Sequence, residues 1–229
     1  MTKPASPLVA PRRQFLRGSL AASASLSALS WTRLARGQAA GSKVLVGMIG
    51  TGGIAKAHWE QLAAIPGFEV VAVCDVDDKR AAEMSDRVEK HYGKKPQSHK
   101  DFRKLLEQKD IQAVTIGSPD HWHALHLIAA CQAGKDAYVE KPLSHSIGEG
   151  RAMVTAAEKY KRVVQVGTQQ RSSKHYQEAI ELIRSGGIGR VAEVTTWNHY
   201  NNDGMGNPPD GDVPAGVDYD MWLGPAPKR

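Results

Sequence analysis

The chain has 229 residues, 41% hydrophobic and 24% charged, a composition that suits one large or two small globular domains. Its formal net charge is +6. However, residues 1–40 hold six basic side chains (Lys3, Arg12, Arg13, Arg17, Arg33, Arg36) and no acid, which leaves 24 basic against 24 acidic residues in 41–229. Nucleic-acid binding needs a basic patch on the folded part, so the neutral balance there excludes a general electrostatic case for it.

The first 40 residues read as an export leader. "PRRQFLRGSL" carries the pair Arg12–Arg13, then Phe15 and Leu16, and a weakly apolar Ala/Ser/Leu stretch follows over 19–29. That stretch is too short for a stable membrane span, which needs about 20 strongly apolar residues. Arg33 and Arg36 follow it, and Gly37-Gln38-Ala39 supplies small residues for cleavage, as in a twin-arginine signal. The expectation is export to the periplasm by that route, with residues 1–40 disordered or removed.

From residue 43 apolar runs alternate with amphipathic stretches. Strands are expected at 43–50, 68–75, 112–119 and 136–142 and at the start of 162–171, with helices at 53–66, 78–93, 101–108, 120–134 and 146–161. Short apolar runs ending in glycine or turn residues fit strands buried on both faces, and βαβα alternation implies a parallel sheet with helices on both sides. Asp120 is placed to cap or charge-stabilise the start of 120–134, and Ser146 to cap 146–161. Beyond 171 the pattern predicts a helix at 174–189, a half-exposed strand at 190–200 and a Gly/Pro/Asn/Asp-rich loop at 201–216. Cys74 and Cys131 sit in apolar segments outside any CxxC pair, and read as buried thiols.

"GMIGTGGIA" (47–55) contains Gly50-x-Gly52-x-x-Ala55 between a strand and a helix, the context in which this pattern binds a dinucleotide. Gly50 permits the turn, Gly52 lets the backbone approach a pyrophosphate, and Ala55 lets the helix pack on the strand. The helix start, at Gly53 and Ile54, directs amides and the positive end of the dipole at the phosphates. Asp75 ends the second strand, where a carboxylate accepts from ribose hydroxyls and repels a 2′-phosphate. NAD is the expected cofactor, with Lys79 and Arg80 leaving NADP open.

"HWHALH" (121–126) invites a metal reading, but His121 and His123 diverge by about 200° on a helix and no HExxH frame surrounds them. No metal site is expected.

Residues 43–200 resemble the Gfo/Idh/MocA oxidoreductase family in "GMIGTGGIAKAH", "VVAVCDVD", "SPDHWHALHLIAACQAGKDAYVEKPLSHS" and "VGTQQR". The resemblance implies an α/β protein. A Rossmann domain (41–167) precedes an α/β substrate and oligomerisation domain (168–229 being its start) with an open, largely antiparallel sheet. It implies oxidation or reduction of a carbinol carbon in a sugar, cyclitol or related polyol, by a homo-oligomer. Glu140-Lys141-Pro142 matches the family's EKP motif, which puts Lys141 between nicotinamide and substrate and Glu140 near the nicotinamide ribose. Ser118 and Pro119 match a cofactor-contacting loop, His121 and His123 the region after it, and Gln169 and Arg171 the entry to the second domain. An ammonium beside the reacting hydroxyl stabilises developing alkoxide charge and can assist proton transfer. A cis Lys141–Pro142 bond is also expected.

The family's second domain is longer than 168–229, so the sequence looks like a fragment or a truncated member, and 172–229 are expected to be poorly supported as an isolated fold. Two rival functions fit the same residues: an NAD-dependent glycosidase working through transient oxidation, and a dinucleotide-binding fragment without activity. Retention of EKP favours the dehydrogenase.

Overall fold

A computed structural model describes residues 43–197, 209 and 211–228. The arginine-rich leader, most of the Asn/Asp loop and the last three residues of the expected 190–200 strand lie outside the described residues.

Six strands form one sheet in the order β3-β2-β1-β4-β5-β6: β1 (Val44–Ile49), β2 (Phe68–Cys74), β3 (Gln97–His99), β4 (Ala113–Ile116), β5 (Asp136–Glu140) and β6 (Val164–Gly167). Every neighbouring pair is parallel. The helices are α1 (Gly53–Ala63), α2 (Asp78–Tyr92), α3 (Phe102–Leu106), α4 (His123–Gln132), α5 (Ile147–Tyr160), α6 (Lys174–Arg184) and α7 (Tyr219–Leu223). A single 3₁₀ turn, Asp120–Trp122, leads into α4. It replaces the continuous helix expected from 120; Asp120 lies in its first turn, and no side chain caps it.

Each face of the sheet carries its own core. Val46, Met48, Val70 and Val73 pack with Ala55 and Trp59 of α1 and Met84 and Val88 of α2. Ile49, Ala72, Ile116 and Val139 pack on the other side with α3, α4 and α5, through Leu105, Leu127 and Met153 among others. Strands covered on both faces are apolar throughout. In β2 the pairing skips a residue, from Val46↔Val70 to Gly47↔Ala72. Val71 and Ala72 consequently both join the α3–α5 side, as a bulge that resets the side-chain alternation requires.

Local signals set the helix ends. The Asp77 carboxylate accepts from the Lys79 and Arg80 amides at the start of α2, and Gly93 at φ 69° closes it. Ser146 and Glu149 form a reciprocal capping box on α5. Both cysteines are buried and unbridged.

Two elements differ from the sequence expectation. β3 is a three-residue polar edge strand, too short to show a period. Residues 190–197 form no strand: they are exposed and lack a pairing neighbour among the described residues, and an alternating pattern becomes a strand only when a ladder is available. The sheet here is all parallel, and no antiparallel sheet follows it among the described residues. α6 buries none of its residues. By contrast, 212–226 do not float free but return to the Rossmann unit, as described below.

The tightest packing constraint on β1 is at Gly47, where an added Cβ would lie 2.6 Å from Leu105 Cδ2. Gly47→Ala alone is expected to destabilise by roughly 1–3 kcal/mol through overpacking, and Leu105→Ala alone by roughly 2–5 kcal/mol through a cavity. The double variant should lose clearly less than the sum. Urea unfolding of the four proteins checks this, and strict additivity would mean that the two sites do not share the space.

Candidate functional site

At the carboxyl ends of β1 and β4 the sheet order reverses direction, the place where open α/β sheets bind ligands. Gly50, just past β1, has φ 81°. A Cβ there would stand 2.7 Å from Gly117 C and Ser118 N, so the β1 and β4 loops approach each other at backbone distance. Gly117 in turn faces α1: its Cβ would lie 3.3 Å from Ile54 Cγ2 and 3.7 Å from Ala55 Cβ. Ala55 is fully buried, as the third position of the fingerprint requires.

This crossing opens a cleft of about 540 Å³ that brings together Gly50, Gly52, Gly53, Asp75, Ser118 and Pro119. Nothing lies within 4 Å of a Cβ on Gly53, whereas one on Gly52 would meet Arg80 Nη1 at 2.8 Å. The floor of the cleft is therefore backbone at the start of α1, open at Gly53 and overlain at Gly52 by the Arg80 guanidinium, and first-turn amides there have no intrahelical acceptor. Asp75 is held at its rim. Oδ2 accepts from the Thr51 amide (2.7 Å) and hydroxyl (2.9 Å), and Oδ1 accepts from the Asp77 amide (3.0 Å). Two carboxylate oxygens have about four lone-pair sites, so capacity for a further donor remains. A pyrophosphate over the α1 amides and a ribose at Asp75 fit these residues.

β5, the sheet neighbour of β4, ends at Glu140; Lys141 follows, neither residue lines the cleft, and the Lys141–Pro142 bond is cis, as expected from the sequence. Glu140 is buried. Its Oε1 meets His58 Nε2 at 2.8 Å and its Oε2 accepts from the Lys141 amide at 3.0 Å. Gly167 leaves room for it: a Cβ there would sit 2.7 Å from Oε1. The Lys141 side chain is exposed, and its ammonium has no hydrogen bond or ion pair among the described residues. Sequence reasoning missed His58. Its signal is faint, a histidine five residues into the helix that opens at Gly53, and its partner is 82 positions away.

Histidines of the 3₁₀ turn and α4 organise the loop between these parts. His123, almost fully buried, lies 2.9 Å from Ser118 O and 2.6 Å from Pro142 O, so one ring ties the β4 loop to the EKP loop. His126 lies 2.9 Å from Ser118 Oγ and stacks on Trp122 at 4.8 Å. Burial, reinforced by His123 and His121, lowers the His126 pKa to about 3. His121 reaches the Trp222 carbonyl instead of the cleft. Gln169 and Arg171 are exposed on the 3₁₀ turn after β6 and do not line the cleft. Burial, then Asp75 and Asp101, push the Cys74 thiol up to about 12, which makes it a packing group. No cluster of three or more metal-ligating side chains occurs among the described residues.

Fold and crevice together define a dinucleotide-binding Rossmann domain. Residues 44–168 match the model of the Gfo/Idh/MocA "Oxidoreductase family, NAD-binding Rossmann fold". The match takes in more than half of the chain, which belongs to this family. The chain is 34% identical over 157 residues to an inositol 2-dehydrogenase of Salmonella typhimurium, covering 68% of this chain and 45% of that protein. It is 36% identical over 148 residues to inositol 2-dehydrogenase 3 of Saccharopolyspora erythraea, covering 64% and 42%. Among solved structures, scyllo-inositol dehydrogenase from Lactobacillus casei with bound NAD(H) and scyllo-inositol superposes with a TM-score of 0.58 at 26% identity, over 65% of this chain and 43% of that one. The chain spans less than half the length of these relatives.

The low His126 pKa has a defined consequence for stability. Below about pH 6.5 the unfolded ring takes up a proton that the folded ring refuses until about pH 3. The unfolded state therefore binds more protons in that window, and stability falls as pH falls, by at most about 1.4 kcal/mol per pH unit. Urea unfolding between pH 7 and 4 should show a steeper acid loss for the wild type than for His126→Phe, which keeps a ring in the stack. Equal slopes would contradict a neutral buried His126.

Proposed function

We propose that the protein is an NAD-dependent oxidoreductase acting on a carbinol carbon of a cyclitol, sugar or related polyol, with Lys141 beside the reacting oxygen. One observation carries the reading. Lys141 follows the carboxyl end of β5, the sheet neighbour of β4 whose loop lines the dinucleotide cleft, with its amide held by buried Glu140 and its ammonium without a protein partner among the described residues. The inositol dehydrogenases among its relatives support the cyclitol class.

NAD, when bound, would supply the hydride acceptor. The substrate C–H bond would give up its hydride to the nicotinamide, the O–H bond its proton to solvent water, and a carbonyl would form. Asp75 would hold the adenosine ribose through its remaining lone pairs and disfavour a 2′-phosphate. The amides of Gly53 and Ile54 would face the pyrophosphate. Lys141 would donate to the substrate oxygen as alkoxide charge develops. Glu140 and His58 fix the backbone direction from which Lys141 projects. His123 and His126 hold Ser118 in the cofactor-facing loop, while Glu140, His121, Gln169 and Arg171 lie outside the cleft. Residues 41–167 would be the cofactor domain and 168–229 the start of the substrate and oligomerisation domain, with an antiparallel sheet. The exposed amphipathic face of α6, with Tyr176, Ile180 and Ile183, supports that assignment. The Arg12–Arg13 leader supports twin-arginine export.

Lys141→Met is expected to lower turnover of a free polyol, with myo-inositol as the first probe, by about 100-fold or more, while NAD affinity stays within about threefold. NADH absorbance and calorimetric titration measure the two. Undiminished turnover would remove Lys141 from the reaction. Sugar release from a glycoside without net NADH would favour the glycosidase instead.

A further inference from the structure

Residues 214–224 cross the mouth of the cleft as a strap fixed at both ends. At one end Val217 bridges to Asp77 in antiparallel fashion, the Asp218 amide donates to Val76 O (2.9 Å), and Gly216 O accepts from the Asp78 amide (3.1 Å) and the Lys100 ammonium (3.3 Å). At the other end Trp222 O lies 2.9 Å from His121 Nε2 and accepts from Trp122 Nε1 at 3.0 Å. Gly224 packs so closely on the Trp122 ring that no Cβ fits. The anchors follow β2, β3 and β4, so the strap spans the Asp75 side of the crevice and not the Lys141 side.

Between the anchors lies α7, capped by Asp218 Oδ1 accepting from the Met221 amide (2.9 Å). Its Tyr219 and Trp222 rings lie nearly parallel, 11° apart with centroids at 5.7 Å. Both rings line the cleft and both remain 42% exposed. Large aromatic rings are normally covered or given a polar partner; here the Trp222 ring meets the His121 ring edge-on at 5.8 Å, and the strap's backbone contacts fix the rest. A flat apolar ring entering beside Asp75 would cover them.

We propose that the strap is the adenosine-side wall of the dinucleotide cleft and that Trp222, supported by Tyr219, is a stacking face for the adenine ring. This rests on the NAD-binding reading of Gly50–Ile54 and Asp75. It assigns the strap to nucleotide binding and leaves the reacting end to Lys141. Because Trp222 is anchored by its carbonyl, replacing the side chain leaves both backbone anchors in place and removes only its ring contacts with His121 and Tyr219.

Calorimetric titration of the full chain with NAD and with ADP-ribose tests the assignment. Trp222→Ala should weaken both ligands about tenfold, the scale of one base–aromatic stack, and Trp222→Phe should restore them to within about threefold. Quenching of protein fluorescence by either ligand should be smaller in Trp222→Phe than in wild type, a readout that a purely structural role would not move. ADP-ribose affinity within twofold of wild type in Trp222→Ala, or no recovery in Trp222→Phe, would overturn the strap's role while leaving NAD binding standing. A wild-type chain that binds neither ligand would overturn both.

Discussion

Everything at the cleft depends on one backbone contact, the approach of Gly50 to Gly117 and Ser118. No side chain fits between them, and Gly50 sits at a φ that only glycine adopts without strain. Because β1 and β4 are sheet neighbours whose connections leave in opposite directions, their carboxyl ends diverge just beyond this contact. The opening that results is floored by the start of α1 and rimmed by Asp75. A larger residue at 50 would push the two loops apart and lift α1 off the sheet, removing phosphate site and ribose site together.

The contact also couples the two ends of the site. α1 begins with the bare amides of the fingerprint and, further along, presents His58 to Glu140. Glu140 then holds the Lys141 amide. A single helix therefore sets the relative position of the phosphate-binding turn and the lysine that follows β5. His123 adds a second link by touching both Ser118 O and Pro142 O. The hydride transfer proposed above needs donor and acceptor carbons at contact distance, and a cofactor on the start of α1 and a lysine held from the same helix would both be positioned by one element.

The parallel sheet was legible because most of its strands are compact apolar runs closed by glycine, proline or an acid, and α2, α3 and α5 carry their own caps. Gly50, Gly52 and Asp75 were legible because their role is local: turn, close approach and strand end are all encoded within about 30 residues. Long-range pairings were not. β3 has three polar residues and exists only because β2 offers a ladder. The alternation at 190–197 predicts a strand that finds no ladder. His58 acquires meaning only when α1 packs beside the end of β5, and Trp222 only when its carbonyl meets His121 and Trp122, a hundred positions away. EKP was legible through family resemblance, since the motif by itself shows neither the burial of Glu140 nor its histidine partner.

The most direct test is a crystal structure of this chain grown with saturating NAD. The account predicts the pyrophosphate over the amides at the start of α1, the adenosine ribose on Asp75, and the nicotinamide turned toward Lys141. A dinucleotide whose phosphates lie away from Gly50–Ile54, or a cleft without bound NAD at saturation, would contradict it.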